Sequence, residues 1–89
     1  MVTVILSHEV TNFAEWKAGF DGHEPMRQQA GVKTLGVYNS VDNPNLVSVI
    51  TEFPSAEAVR GFMASPGLKE DMAKAGVVGV PEVKILNKV

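Results

Sequence analysis

Residues 2–20, VTVILSHEVTNFAEWKAGF, read as a strand that turns directly into a capped amphipathic helix, and every later element is placed relative to it. Val2, Val4, Leu6, His8 and Val10 share one side of a period-two ladder, so a histidine occupies a position that the pattern reserves for an aliphatic. Asn12 followed by Glu15 is a capping-box pattern, in which the Asn oxygen accepts from the open amides of the first turn. Phe13, Trp16 and Phe20 then recur at i, i+3 and i+7, one helical stripe aimed at the sheet.

Outward from this stretch, Gly19, Gly22 and Pro25 weaken the helix, because proline has no amide to donate and pushes Glu24 out of the α region. A break is expected near residues 22–24, followed by a short turn of helix from Met26 to Ala30 with Pro25 at its first position and Gly31 as the left-handed residue that ends it. Residues 32–40 and 46–53 are β-rich and are joined by VDNPN, which suits a hairpin loop, so they pair antiparallel. Pro54 and Ser55 open a second helix whose buried face carries Val59, Phe62 and Met63. Ser65 and Pro66 restart that helix, Leu68, Met72 and Ala75 continue it, and Gly76 closes it. The tail PEVKILNKV, residues 81–89, alternates as a last strand.

The order is β-α-β-β-α-β, with the second helix in two pieces, which predicts an α+β ferredoxin-like sandwich with an antiparallel sheet of order 4-1-3-2. One sheet face, Val2, Val4, Leu6, His8 with Leu35, Val37, Asn39, with Val47, Val49, Thr51, Phe53 and with Val83, Ile85, Asn87, is assigned to the helices. The other face has no helix to cover it and gathers Ile5, Ile50, Leu86 and Tyr38, an apolar patch that argues for a homodimer built sheet against sheet.

Composition narrows the functional classes. The 89 residues, 45% hydrophobic, suit one domain spanning 1–89. A domain this short buries only about 60–65% of the surface of its unfolded chain, so pairing with a second copy adds stability it needs. The net charge of −2, with 8 scattered basic residues, provides no footprint for nucleic acid or an anionic membrane. The absence of cysteine excludes disulfide scaffolds, thiolate zinc sites and cysteine nucleophiles. The start MVTVILS is interrupted by His8 and Glu9 and lacks a basic flank, so it reads as neither signal peptide nor membrane span, and a cytoplasmic location is expected.

With these features in place the whole chain resembles the dimeric α/β-barrel superfamily, and within it the small antibiotic-biosynthesis-monooxygenase-like proteins. The resemblance is carried by the His8 strand, the Trp16 and Phe20 helix, the passage PNLVSVITEFPSAEAV and the segment FMASP. It implies a pocket between sheet and helices and a range of activities: cofactor-independent oxygenases on aromatic polyketides and quinols, polyketide cyclases, lactone isomerases and haem degraders. The haem degraders resemble one another in a histidine on the second helix, and SAEAVRGFMAS has none. No cofactor is expected, since nothing in the chain resembles a flavin, haem or nicotinamide site.

Strand direction brings His8, Asn39 and Trp16 toward one edge, with Phe20 beside them and Phe62 and Met63 closing the region. His8 suits proton transfer, because its ordinary pKa lies near neutrality and burial beside Trp16 keeps it neutral, while Asn39 is placed to hold a carbonyl or enolate oxygen. The bland counterpart is a half-buried histidine at a strand end bonded to a backbone carbonyl, with Trp16, Phe20, Phe62 and Met63 as plain core. His23 is a secondary substrate-binding candidate and Arg27 an anion contact, their orientation left open by Pro25. The two histidines with Glu24 and Glu52 match no metal-ligand spacing. RNA-recognition domains and acylphosphatases share the topology, but the strands lack the aromatic and basic residues of the first, and SHEVTN lacks the phosphate cradle of the second. Two functions remain: a cofactor-free enzyme on a small aromatic or enolisable substrate with His8 as acid/base, or a non-catalytic ligand-binding or interaction module.

Overall fold

Strand β1 (Val2–Val10) is an interior strand and sets the register of the sheet. In the computed structural model, which describes residues 1–64 and 76–89, it is followed by α1 (Phe13–Gly22), α2 (Glu24–Gln29), β2 (Lys33–Asn39), β3 (Leu46–Phe53), α3 (Ala56–Met63) and β4 (Val77–Leu86). The sheet order is β2-β3-β1-β4 with every neighbouring pair antiparallel, the order expected from the sequence. The expected continuation of the second helix through Ser65, Pro66, Leu68, Met72 and Ala75 lies outside the described residues. Gly76 does adopt the left-handed conformation, with φ +83°. No described helix is long and apolar enough to cross a membrane.

Local chemistry accounts for the element boundaries. The Asn12 side chain accepts from the Glu15 amide at 3.1 Å and the Ser55 hydroxyl from the Ala58 amide at 3.1 Å, two helix caps worth about 1 kcal/mol each. The β2–β3 loop is tied to the start of α1, because Phe13 N donates to Asn45 Oδ1 at 3.1 Å and Val10 N to the Asn45 carbonyl at 2.8 Å. The helix break falls at His23, Pro25 sits in the first turn of α2, and Gly31 ends that helix at φ +78°.

Two details of register differ from the sequence reading. Thr34 pairs with Thr51 and Gly36 with Ile50, so Leu35 is an inserted bulge residue, and from Thr34 back toward Lys33 the strand presents the opposite alternation. Thr34, not Leu35, therefore faces the helices: its hydroxyl reaches Glu24 of α2 at 3.5 Å, while Leu35 is 47% exposed. The last strand begins at Val77 rather than Pro81, because a register shift opposite Ser7 and Glu9, with Gly79 at φ +74°, admits Pro81 to an edge strand without a ladder hydrogen bond.

The core forms in two clusters on the helix side. Val4, Val32, Phe53 and Val59 gather Val2, Ala58, Phe62 and Met63 around them. Val10, Trp16, Val47 and Val49 gather Phe13, Phe20, Val37 and Val77. Each fully buried valine contributes about 1.5–3 kcal/mol, so both clusters are needed to hold the helices on the sheet. On the opposite face Ile5 and Ile50 lie directly across from each other, Ser7 and Ser48 share a hydroxyl hydrogen bond of 2.9 Å, and Tyr38 and Leu86 are exposed.

Candidate functional site

The ladder of β1 delivers His8 to the helix side opposite Val47, and the α1 stripe lays Trp16 and Phe20 across that side. These three residues, with His23, Phe62 and Met63, line a cavity of about 130 Å³. Members of both core clusters form its walls, and the lining is mainly aliphatic and aromatic. Apolar cavities of about 150 Å³ accept benzene, so a single six-membered ring is of the right size for this one.

His8 is 5% exposed, and its ring meets Trp16 edge to face with centroids 5.3 Å apart. Its Nδ1 is buried with no hydrogen-bond partner, and no backbone carbonyl among the described residues holds the ring, unlike the ordinary arrangement of a core histidine. Burial pushes the imidazole below its ordinary value of 6.5, which keeps it neutral, with one lone pair and one N–H, at physiological pH.

Behind Trp16 the wall continues as a stack. The Trp16 and Phe20 rings lie 5.1 Å apart at 28°, and the Arg27 guanidinium carbon sits 3.7 Å from the Phe20 centroid. Arg27 is only 6% exposed; its Nε and Nη2 donate to Glu24 Oε2 at 3.2 and 2.7 Å. Nδ1–H of His23 donates to the Gly19 carbonyl at 2.8 Å, which orients that ring from the preceding turn.

Asn39 is not brought into this site. It pairs with Val47 from the far side, so the buried Val47 separates it from His8, and its exposed amide donates to the Pro44 carbonyl at 3.3 Å. Thr51, Gly19 and Met26 line the cavity without having been named as site candidates from the sequence. Gly19 was legible as the position one helical turn before His23, and Thr51 as the polar interruption of the Val47, Val49, Phe53 ladder. Among the described residues no group of three or more His, Cys, Asp or Glu is arranged to hold a metal ion.

No protein-family model matches the chain, and no curated protein matches it. Solved structures do. A protein of Bordetella bronchiseptica, provisionally named as an antibiotic biosynthesis monooxygenase, superposes with a TM-score of 0.81 at 19% identity, covering 99% of this chain and 96% of its own. A Caulobacter crescentus protein with the same provisional name gives 0.74 at 17% identity, over 99% of this chain and 89% of its own. SnoaB, a cofactor-independent oxygenase from Streptomyces nogalater, gives 0.71 at 17% identity, over 98% of this chain and 91% of its own. Strand order, helix placement and these superpositions agree: the chain has the ferredoxin-like fold of the antibiotic biosynthesis monooxygenase-like proteins.

Proposed function

We propose that the protein is a cofactor-independent enzyme of the oxygenase, cyclase or isomerase type, acting on a small aromatic or enolisable molecule, with His8 as its acid/base. The observation that carries this reading is a buried imidazole that lines an apolar cavity and has no hydrogen-bond partner among the described residues. Leaving a buried polar group unpaired costs about 1–3 kcal/mol, a cost that a histidine kept only for packing has no reason to carry. Similarity in fold to SnoaB, itself a cofactor-independent oxygenase, supports the class.

The chemistry follows from the surroundings of the ring. The neutral imidazole takes a proton from an O–H or an acidic C–H of the substrate, and the electron pair stays behind as phenolate or enolate. No carboxylate among the described residues pairs with His8, so the imidazolium is stabilised chiefly by the substrate anion beside it in the water-poor cavity. Because burial lowers its affinity for the proton, His8 also gives it back readily, to another carbon in an isomerisation. In an oxygenation the enolate or phenolate supplies the electrons and dioxygen is the oxidant. Asn39 has no part in this scheme, since its amide is turned to the hairpin loop.

The working unit in this reading is a homodimer joined through the open sheet face, supported by the paired Ile5 and Ile50 and by the exposed Leu86 and Tyr38. The function is tested by screening small phenols, quinols and lactones for turnover under air with wild type and His8→Leu. The expected result is a loss of about 100-fold in rate for a variant that remains folded. Equal rates in the two proteins would reduce the cavity to a non-catalytic binding site.

A further inference from the structure

We propose that the ligand of this cavity is an anion, a planar ring bearing a carboxylate, and that Arg27 is the residue that selects it. The proposal rests on the cavity being a ligand site, and not on His8 being the base.

Among the described residues lining the cavity, Arg27 alone carries a permanent charge. A guanidinium 6% exposed in an apolar wall is costly unless its donors are used. It has five N–H donors in a planar fork. Its face lies on the Phe20 ring at 3.7 Å, so only its edges remain for hydrogen bonding. Glu24 takes one edge with a single oxygen, Oε2, which accepts from both Nε and Nη2. On the Nη1–Nη2 edge, Nη1 and the second N–H of Nη2 have no hydrogen-bond partner among the described residues. That edge has the width of a carboxylate and the geometry for two parallel hydrogen bonds.

The wall between His8 and Arg27 bears on the rest of the ligand. Trp16 and Phe20 follow one another from His8 to Arg27 and make this wall aromatic, an apolar surface suited to a ring. Glu24, whose side chain is 39% exposed, holds the guanidinium from outside and leaves the inward charge of the wall positive. A cationic ligand has no counter-charge among the described lining residues, and a neutral one leaves the Arg27 edge unpaired.

Benzoate and benzyl alcohol are the probes, titrated calorimetrically at neutral pH into wild type, Arg27→Met and Glu24→Gln. Benzoate is expected to bind wild type about tenfold or more tighter than benzyl alcohol, a preference of charge-assisted over neutral pairing. Arg27→Met keeps a long apolar side chain against Phe20 and should abolish the preference while leaving benzyl alcohol within about twofold. Glu24→Gln removes the competing carboxylate and should widen the preference; it decides the matter if Arg27→Met fails to fold. Equal binding of the two probes to wild type, no binding of benzoate, or a preference unchanged in Glu24→Gln with Arg27→Met unfolded or unchanged would overturn the proposal. The same titration on His8→Leu keeps the readings apart: benzoate preference retained with turnover lost supports both, and turnover by wild type without any benzoate preference removes only this one.

Discussion

Replacing His8 by leucine should make the protein more stable. The residue is 5% exposed, its Nδ1 has no partner among the described residues, and its neighbours on the strand face are Leu6 and Val10, so an aliphatic of similar size suits the place. Removing an unpaired buried polar group returns about 1–3 kcal/mol, and imperfect fit of the new side chain costs up to about 1.5 kcal/mol. A net gain of about 1 kcal/mol is expected at about pH 8, where histidine is neutral in both folded and unfolded chains. The gain should grow in acid. Burial holds the folded pKa of His8 below 6.5, so as pH falls past that value the unfolded chain takes up the proton first and wild type loses stability until the folded ring also protonates. The loss is at most about 1.4 kcal/mol for each pH unit over which only the unfolded form is protonated, and His8→Leu has none of it. Urea unfolding at about pH 8 and about pH 5.5 measures both quantities. A variant less stable than wild type by more than about 1 kcal/mol at the higher pH, or a difference that does not widen at the lower, refutes the description of His8 as a costly residue retained for what it does.

Ile50→Asp places an unpaired charge at the middle of the open sheet face, opposite Ile5, and should convert a micromolar dimer to a monomer in sedimentation equilibrium; a wild type that is already monomeric there removes the dimer. Asn39→Ala should change benzoate affinity by less than about twofold, because its amide bonds the Pro44 carbonyl outside the cavity; a tenfold loss would mean that the β2 end closes onto the ligand.

The fold was legible because two periodicities alternate along the chain with their punctuation intact. Val2, Val4, Leu6 and Val10, and Val47, Val49 and Phe53, recur at a spacing of two on the helix side, Asn12 and Ser55 mark helix starts, and Gly31 marks a helix end, so each boundary has its own local cause. His8 stood out for the same reason, as a polar residue in an aliphatic ladder. The bulge at Leu35 was not legible, since KTLGVY alternates acceptably in either phase and only the pairing of Thr34 with Thr51 decides which side faces the helices. Asn39 shows the limit of strand parity: it falls on the helix side as expected, but parity carries no depth, and Val47 stands between it and the cavity. Arg27 was half legible. It continues the Phe13, Trp16, Phe20 stripe, yet Pro25 obscured its direction; the Arg27 amide bonds the His23 carbonyl at 3.1 Å, and the stripe survives the break.

Proton transfer itself is the most direct test. Phenylacetone in deuterium oxide, followed by proton NMR, reports loss of hydrogen from the carbons beside its carbonyl, the step assigned to His8 whatever reaction comes afterwards. Wild type is expected to exchange those hydrogens faster than buffer by about 100-fold, and His8→Leu no faster than buffer. Exchange at one rate in both proteins, or at the buffer rate in wild type, would contradict the assignment of His8 as the acid/base.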